Sequence, residues 1–229
     1  MPGQLVFPFG VEPALGREDF ILAPCNEQAV KFVRRWPDWP TRMAAIYGPA
    51  HCGKTHLAAI WQSMTDAQTL SVRDLAPGLV HTIATRAGAA IVIEDIDSEE
   101  PREDRDRVLL ALLERPAGAL LLTGRAPPSD WPLAIGDLKS RFLSLIAFPM
   151  WVPDDKLLCA LVTKHFADRQ LEVTEGVVKR IVTHVERTPE AVAAFVASAD
   201  RKALAERRPV TDRLVLELID AQGESKNGL

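Results

Sequence analysis

The chain has 229 residues, 47% hydrophobic and 25% charged, the composition of an ordinary globular protein, which excludes disorder of the whole. Its 27 basic residues against 31 acidic ones leave a formal net charge of −4, which excludes a binder of nucleic acid by charge alone, so any such contact would be local. Cys25, Cys52 and Cys159 lack metal-ligand spacing and suit reduced thiols; with no secretory leader pattern and no apolar run of membrane-spanning length, the expectation is a cytoplasmic protein without a membrane partner.

Residues 1–24 carry Pro2, Pro8, Pro13 and Pro24 with Gly3, Gly10 and Gly16, a composition that predicts an extended arm. Within it, Gln4-Leu5-Val6-Phe7-Pro8-Phe9 gathers apolar side chains and a glutamine amide that have no core of their own. Such a peptide either docks in a groove of another protein or packs back on its own domain. From Cys25 to Trp36 the apolar residues Ala29, Val30, Phe32 and Val33 recur at helical spacing, with Asn26 as N-cap, and Pro37 and Pro40 end the helix.

The short apolar run Ala44 to Tyr47 leads into Gly48-Pro49-Ala50-His51-Cys52-Gly53-Lys54-Thr55 and then a helix-forming segment, the strand, loop and helix of a phosphate-binding P-loop. Gly48 and Gly53 let backbone N–H groups converge on a polyphosphate, aided by the N-terminus of the helix. Lys54 would neutralise the β and γ phosphates and Thr55 would offer its hydroxyl to Mg²⁺. His51 and Cys52 occupy variable positions of the loop and receive no separate role.

A strand is expected near Gln68 to Val72 and a helix over Leu79 to Arg86. Ala89 to Ile93 reads as a buried parallel strand that delivers Glu94 and Asp95 to the ligand edge, Glu94 to order Mg²⁺ and Asp95 to orient attacking water. Acids that merely end a strand are the alternative. Arg105 to Glu114 predicts an amphipathic helix with Val108, Leu109, Leu112 and Leu113 inward, and Ala119 to Thr123 another buried strand whose Thr123 hydroxyl could contact the γ phosphate or the water. Leu133 to Arg141 carries Asp137, Lys139 and Arg141, and Phe142 to Phe148 alternates like a strand. Short strands separated by helices imply a parallel α/β sheet with helices on both faces over 25–150. After Pro149 and Pro153 come four helical patterns, Asp154–Asp168, Thr174–Glu186, Pro189–Ala205 and Thr211–Ala221, a small all-α lid over 151–222 with a frayed tail from 223 to 229. Arg201, Lys202, Arg207 and Arg208 form a basic patch best read as a solvated face.

A P-loop, an acidic strand end, a polar strand end, an arginine before the last strand and a helical lid together resemble the AAA+ ATPase family, whose fold has a five-stranded parallel sheet and a small all-α lid. Asp137-Leu138-Lys139-Ser140-Arg141-Phe142 is similar to the arginine-finger segment of its DnaA branch, and Phe20-Ile21-Leu22 to the adenine-contacting segment there. The N-terminal peptide Gln4 to Phe9 is similar to those that dock on the β sliding clamp of DNA polymerase III, which points to the DnaA-related regulatory inactivators, the Hda group. The resemblance implies ATP or ADP with Mg²⁺ as cofactors, the β sliding clamp and ATP-bound DnaA as partners, contact with DNA only through the clamp, and room for a homo-oligomer. It further implies Arg141 as a finger acting in trans on the ATP of DnaA, and a nucleotide-contacting position in the third lid helix, for which Arg187 and Glu190 are the candidates. Glu94 stands where an aspartate is usual and Glu190 aligns where an arginine is, which favours weak intrinsic hydrolysis. An adaptor or helicase loader and a small-molecule kinase are the competing readings.

Overall fold

The computed structural model describes residues 20–78, 88–115 and 117–226, with side chains of the last helix described as far as 221. The N-terminal peptide Gln4 to Phe9 and the helix expected over Leu79 to Arg86 lie outside the described residues. Five strands, β1 (Met43–Tyr47), β2 (Gln68–Ser71), β3 (Ile91–Glu94), β4 (Leu120–Gly124) and β5 (Ile146–Pro149), form one parallel sheet in the order β2-β3-β4-β1-β5. Their apolar character follows from this: β4 is buried along its whole length and β1 and β3 at three positions each, as strands covered on both faces must be.

Alternate residues feed two cores. Ala44 and Ile46 of β1, Val92 of β3 and Leu121 of β4 pack with α1 (Glu27–Arg34) and α2 (Lys54–Thr65). Ala45, Ile91, Ile93, Leu120 and Leu122 face the other way, onto α3 (Glu103–Leu113) and α4 (Gly136–Leu143). The first layer contains an aromatic stack that the period of the sequence did not indicate. Trp39 lies between Phe32, at 4.4 Å, and Trp61, at 5.0 Å and nearly parallel, and donates Nε1–H to the Phe32 carbonyl at 2.9 Å. It bolts the loop after α1 onto α2.

Beyond β5 come α5 (Asp155–Ala167), α6 (Glu175–His184), α7 (Pro189–Glu206) and α8 (Asp212–Lys226), with a core of their own around Phe166, Ile181, Phe195 and Leu214. The start signals act as expected: Asp154, Thr174 and Thr188 each accept a hydrogen bond from the backbone N–H three residues on. No helix among the described residues is long and apolar enough to cross a membrane.

Three expectations are corrected. The alternating run from Phe142 is not strand from its start: Phe142 ends up buried on α4 at 1% exposure, and the strand begins only at Ile146, because i, i+4 burial of Leu138 with Phe142 outweighs local alternation. Asn26 precedes α1 but makes no cap bond; its side chain instead accepts from the Ala23 N–H and donates to the Ile21 carbonyl. The tail from 223 is helical as far as Lys226. In the basic patch, Lys202 and Arg208 both pair with Glu217, as a solvated face would.

Candidate nucleotide-binding site

The C-terminal ends of β1, β3 and β4 converge on one edge, where ligands bind in open parallel sheets. β1 runs into the loop 48–53 and then into α2, whose N-terminal N–H groups lie at the mouth of the loop. Two glycines are required there. A Cβ on Gly48 would lie 2.0 Å from the Met150 carbonyl oxygen, so the loop can approach the chain leaving β5 only without a side chain. Gly53, at φ +95°, takes the left-handed geometry that starts α2. The Lys54 side chain is 7% exposed, and its ammonium donates to the carbonyls of Gly48 and Pro49 at 2.9 and 2.8 Å, with the Cys52 sulfur 3.9 Å away. Burial pushes the Cys52 thiol up from its ordinary range, against the pull of Lys54. Thr55 stands exposed in the first turn of α2.

The neighbouring strand ends are tied to each other. Thr123, 1% exposed at the end of β4, accepts a hydrogen bond from the Asp95 N–H at 3.1 Å, and the Ile96 N–H donates to its carbonyl. The Asp97 carboxylate accepts from the N–H groups of Arg125 and Ala126 at 2.8 and 2.7 Å. Asp95 is held at φ +54°, an uncommon position for a side-chain-bearing residue. Glu94 ends β3 with one carboxylate oxygen, Oε1, buried and without a hydrogen-bond partner. An orphaned buried carboxylate oxygen is costly by about 1–3 kcal/mol or more unless a cation or water meets it.

The segment from Phe20 to Leu22 sits beside the loop. The Phe20 carbonyl accepts from Arg34, its ring meets His56 edge-on at 5.1 Å, and the Asn26 bonds to Ala23 and Ile21 fix the turn that follows. Phe20, Ile21, Asn26, Cys52, Gly53 and His56 form one wall of a narrow cleft with a cavity volume of about 50 Å³. The other wall is the lid: Pro153, Leu157, Leu161, Pro189 and Glu190. Leu22 is outside this lining and 45% exposed. A mostly apolar cleft beside a glycine loop has the chemistry to hold an aromatic base with its phosphates on the loop.

Two expected residues stand apart from the cleft. Arg187 turns its guanidinium to Asp155 Oδ1 at 2.6 Å and to the Pro153 carbonyl, while Glu190, three residues on, lines the cleft and approaches His51 to 3.8 Å. Arg141 lies on α4, 42% exposed, paired with Asp137 of its own helix at 3.2 Å and with Glu114 at 3.0 Å. Sequence reasoning missed Asn26 as the clamp of the Phe20 segment, Asp97 as the link between strand ends, and the lid residues of the cleft. The Asp97 bonds and the lid contacts join residues far apart in the chain, where no local spacing marks them, whereas Asn26 acts within five residues of itself.

No protein-family model matches the chain, and no curated protein matches it. Solved structures do. Domain III of the replication initiation protein DnaA from Thermotoga maritima matches with a TM-score of 0.73 over 92% of this chain and 97% of that one, at 14% identity. The chain has the AAA+ fold of DnaA domain III. AMPPCP-bound DnaA from Aquifex aeolicus matches with a TM-score of 0.66 and 17% identity over 83% of this chain and 66% of that one. A variant of the AAA+ protein RuvB from Thermotoga maritima matches at 0.71 and 16%, over 86% and 68%. The chain spans 65–70% of the length of the longer initiator structures.

Proposed function

We propose that the chain is an AAA+ nucleotide-binding regulator of replication initiation, related to DnaA, that docks on the β sliding clamp through Gln4 to Phe9 and promotes hydrolysis of the ATP held by DnaA. The observation that carries the nucleotide part is the loop 48–53 with Lys54 folded onto its own carbonyls beside an apolar cleft. A phosphate arriving at the loop offers Lys54 charged acceptors in place of two neutral carbonyls, so binding exchanges weaker bonds for stronger ones. Mg²⁺ fits the residues present: the Glu94 oxygen without a partner and the exposed Thr55 hydroxyl would hold it, largely through water and nucleotide oxygens, and bound there it would offset phosphate charge. Asp95 and Thr123 are positioned as one unit, and in this reading they orient water or the terminal phosphate.

For the partner, the reading rests on Arg141. Its two ion pairs are half exposed, and such pairs are worth about 0–1 kcal/mol each. A neighbouring triphosphate can therefore draw the guanidinium away from Asp137 and Glu114. The arm similarity, the domain III likeness and the excess of acid over base together support a regulator reached through protein contacts over a DNA-binding adaptor.

Surface plasmon resonance against immobilised β clamp tests the docking half: the full chain is expected to bind, and a variant with Gln4→Ala and Leu5→Ala to lose at least tenfold in affinity. Equal binding by both proteins, or none by a folded parent, contradicts it.

A further inference from the structure

The edge of the sheet opposite the phosphate loop holds a second cavity, of about 470 Å³. Its walls come from the segments that lead into three strands: Trp36, Trp39, Thr41 and Arg42 before β1, Ala89 before β3 and Gly118 before β4. The length of β1, about 16 Å of strand, separates it from the loop. No residue lines both this cavity and the nucleotide cleft.

The charge at this edge is one-sided. Arg42 donates to the Gly118 carbonyl at 3.3 Å and Arg115 to the Ala89 carbonyl at 2.9 Å, so two guanidinium groups flank the same stretch of wall. Glycine is required at 118 for that approach: at φ +90°, a Cβ there would lie 2.4 Å from the Ala89 carbonyl oxygen and 2.9 Å from Arg115 Nη2. Among the described residues neither arginine pairs with a carboxylate; each bonds a neutral carbonyl. Asp38 and Asp66, the acids nearest in sequence to the walls, are exposed and outside the lining. Burial first, and then the Arg42 charge, push Arg115 down from its ordinary value, as two like charges do when they share a site without a counter-ion. The aromatic wall has the same sign. Trp39 lies stacked between Phe32 and Trp61, so it turns a ring edge to the cavity, and the edge is the positive part of the aromatic quadrupole.

We propose that this cavity binds a small aromatic acid, its anionic head held by Arg42 and drawn in by the charge of Arg115, its flat body against Trp36 and Trp39. Binding exchanges neutral carbonyl acceptors for a charged one, and the volume falls within the roughly 300–1,000 Å³ of small-molecule sites. The inference goes beyond the nucleotide reading and stands apart from it, since the cavity shares no residue with the cleft.

Isothermal titration of the full chain with indole-3-acetate, with its uncharged counterpart indole-3-acetamide and with inorganic phosphate tests this, with Mg-ADP present to keep phosphate off the loop. The acid is expected to bind with a Kd of about 1 mM or below, and the amide and phosphate at least about tenfold more weakly, because the site needs both the charge and the flat body. Arg42 is exposed, so Arg42→Gln should leave the thermal melt of the parent in place while weakening the acid about tenfold, and Arg42→Glu should weaken it further. Backbone amide shifts of the parent on titration with the acid should change most at Ala89, Ala90, Gly118 and Ala119. No binding of the acid by a folded parent, equal binding of acid and amide, an affinity untouched by Arg42→Gln, or shifts centred on the phosphate loop overturns the inference and leaves the nucleotide reading standing.

Discussion

Replacing Asp106 by alanine should strongly destabilise the sheet domain without touching the nucleotide cleft. Arg105 and Asp106 are both wholly buried. Asp106 Oδ1 accepts from Arg105 at 2.9 and 2.6 Å, and Oδ2 accepts from the backbone N–H groups of Ala134 and Ile135 at 2.6 and 3.1 Å. Arg105 also donates to the carbonyls of Glu99, Glu100 and Pro132. One pair thus joins the start of α3 to the loop after β3 and to the loop that leads into α4, the helix carrying Arg141. Removing the carboxylate leaves a buried guanidinium without its counter-charge, about 3–5 kcal/mol, and two N–H donors without acceptors, about 1–3 kcal/mol each if no water enters. Even the lower figure is a large share of the 5–15 kcal/mol typical of a whole domain. Urea unfolding followed by tryptophan fluorescence isolates the effect, because all five tryptophans lie at or before residue 151 and none in the lid helices. Asp106→Ala is expected to lose at least 3 kcal/mol, and the double variant Arg105→Met, Asp106→Ala to recover part of that loss. A loss below about 1 kcal/mol would show that the pair is not the hub its contacts imply.

Three further outcomes follow from the same contacts. Gly48→Ala forces a Cβ to within 2.0 Å of the Met150 carbonyl, so it should either cost about 1–3 kcal/mol in urea unfolding or open the loop and abolish nucleotide binding; a variant that binds and unfolds like the parent refutes the close approach. Lys54→Ala should remove nucleotide affinity by at least tenfold in isothermal titration, and parental affinity would deny the loop its role. The Glu217 carboxyl, bonded by Arg208 and Lys202, is held down at about 2 from its ordinary 4.5. Because the folded value lies below the unfolded one, its stabilising effect is complete above pH 4.5 and is lost as pH falls from there towards 2. Its carboxyl carbon resonance should titrate near pH 2 in the parent and move upward in Arg208→Gln; a parental midpoint above 4 contradicts the pairing.

Much of this was legible in the residues. The glycine-bounded loop, the acid-ended run before Glu94 and the buried run before Thr123 carry local signatures, since a strand covered on both faces needs continuous apolar sequence and a phosphate loop needs its glycines. The lid helices were equally plain, with side-chain caps at Asp154, Thr174 and Thr188. What local reasoning could not supply is contact between distant residues. Asp106 shares the inward face of α3 with Leu109 and Leu113, and only the backbone N–H groups of residues 134–135 explain an acid there. Asp97, the Trp39 stack and the lid wall of the cleft are of the same kind. The choice between Arg187 and Glu190 likewise turned on tertiary geometry: both flank Thr188, and the direction of α7 brings the carboxylate to the loop.

Turnover of ATP bound to DnaA, in the presence of clamp loaded on DNA, tests the regulator reading most directly. The parent chain is expected to accelerate hydrolysis, Arg141→Ala to lose that acceleration while still binding clamp, and the Gln4→Ala, Leu5→Ala variant to lose it through failure to dock. No acceleration by a folded, nucleotide-loaded parent that binds clamp, or full acceleration by Arg141→Ala, would contradict it.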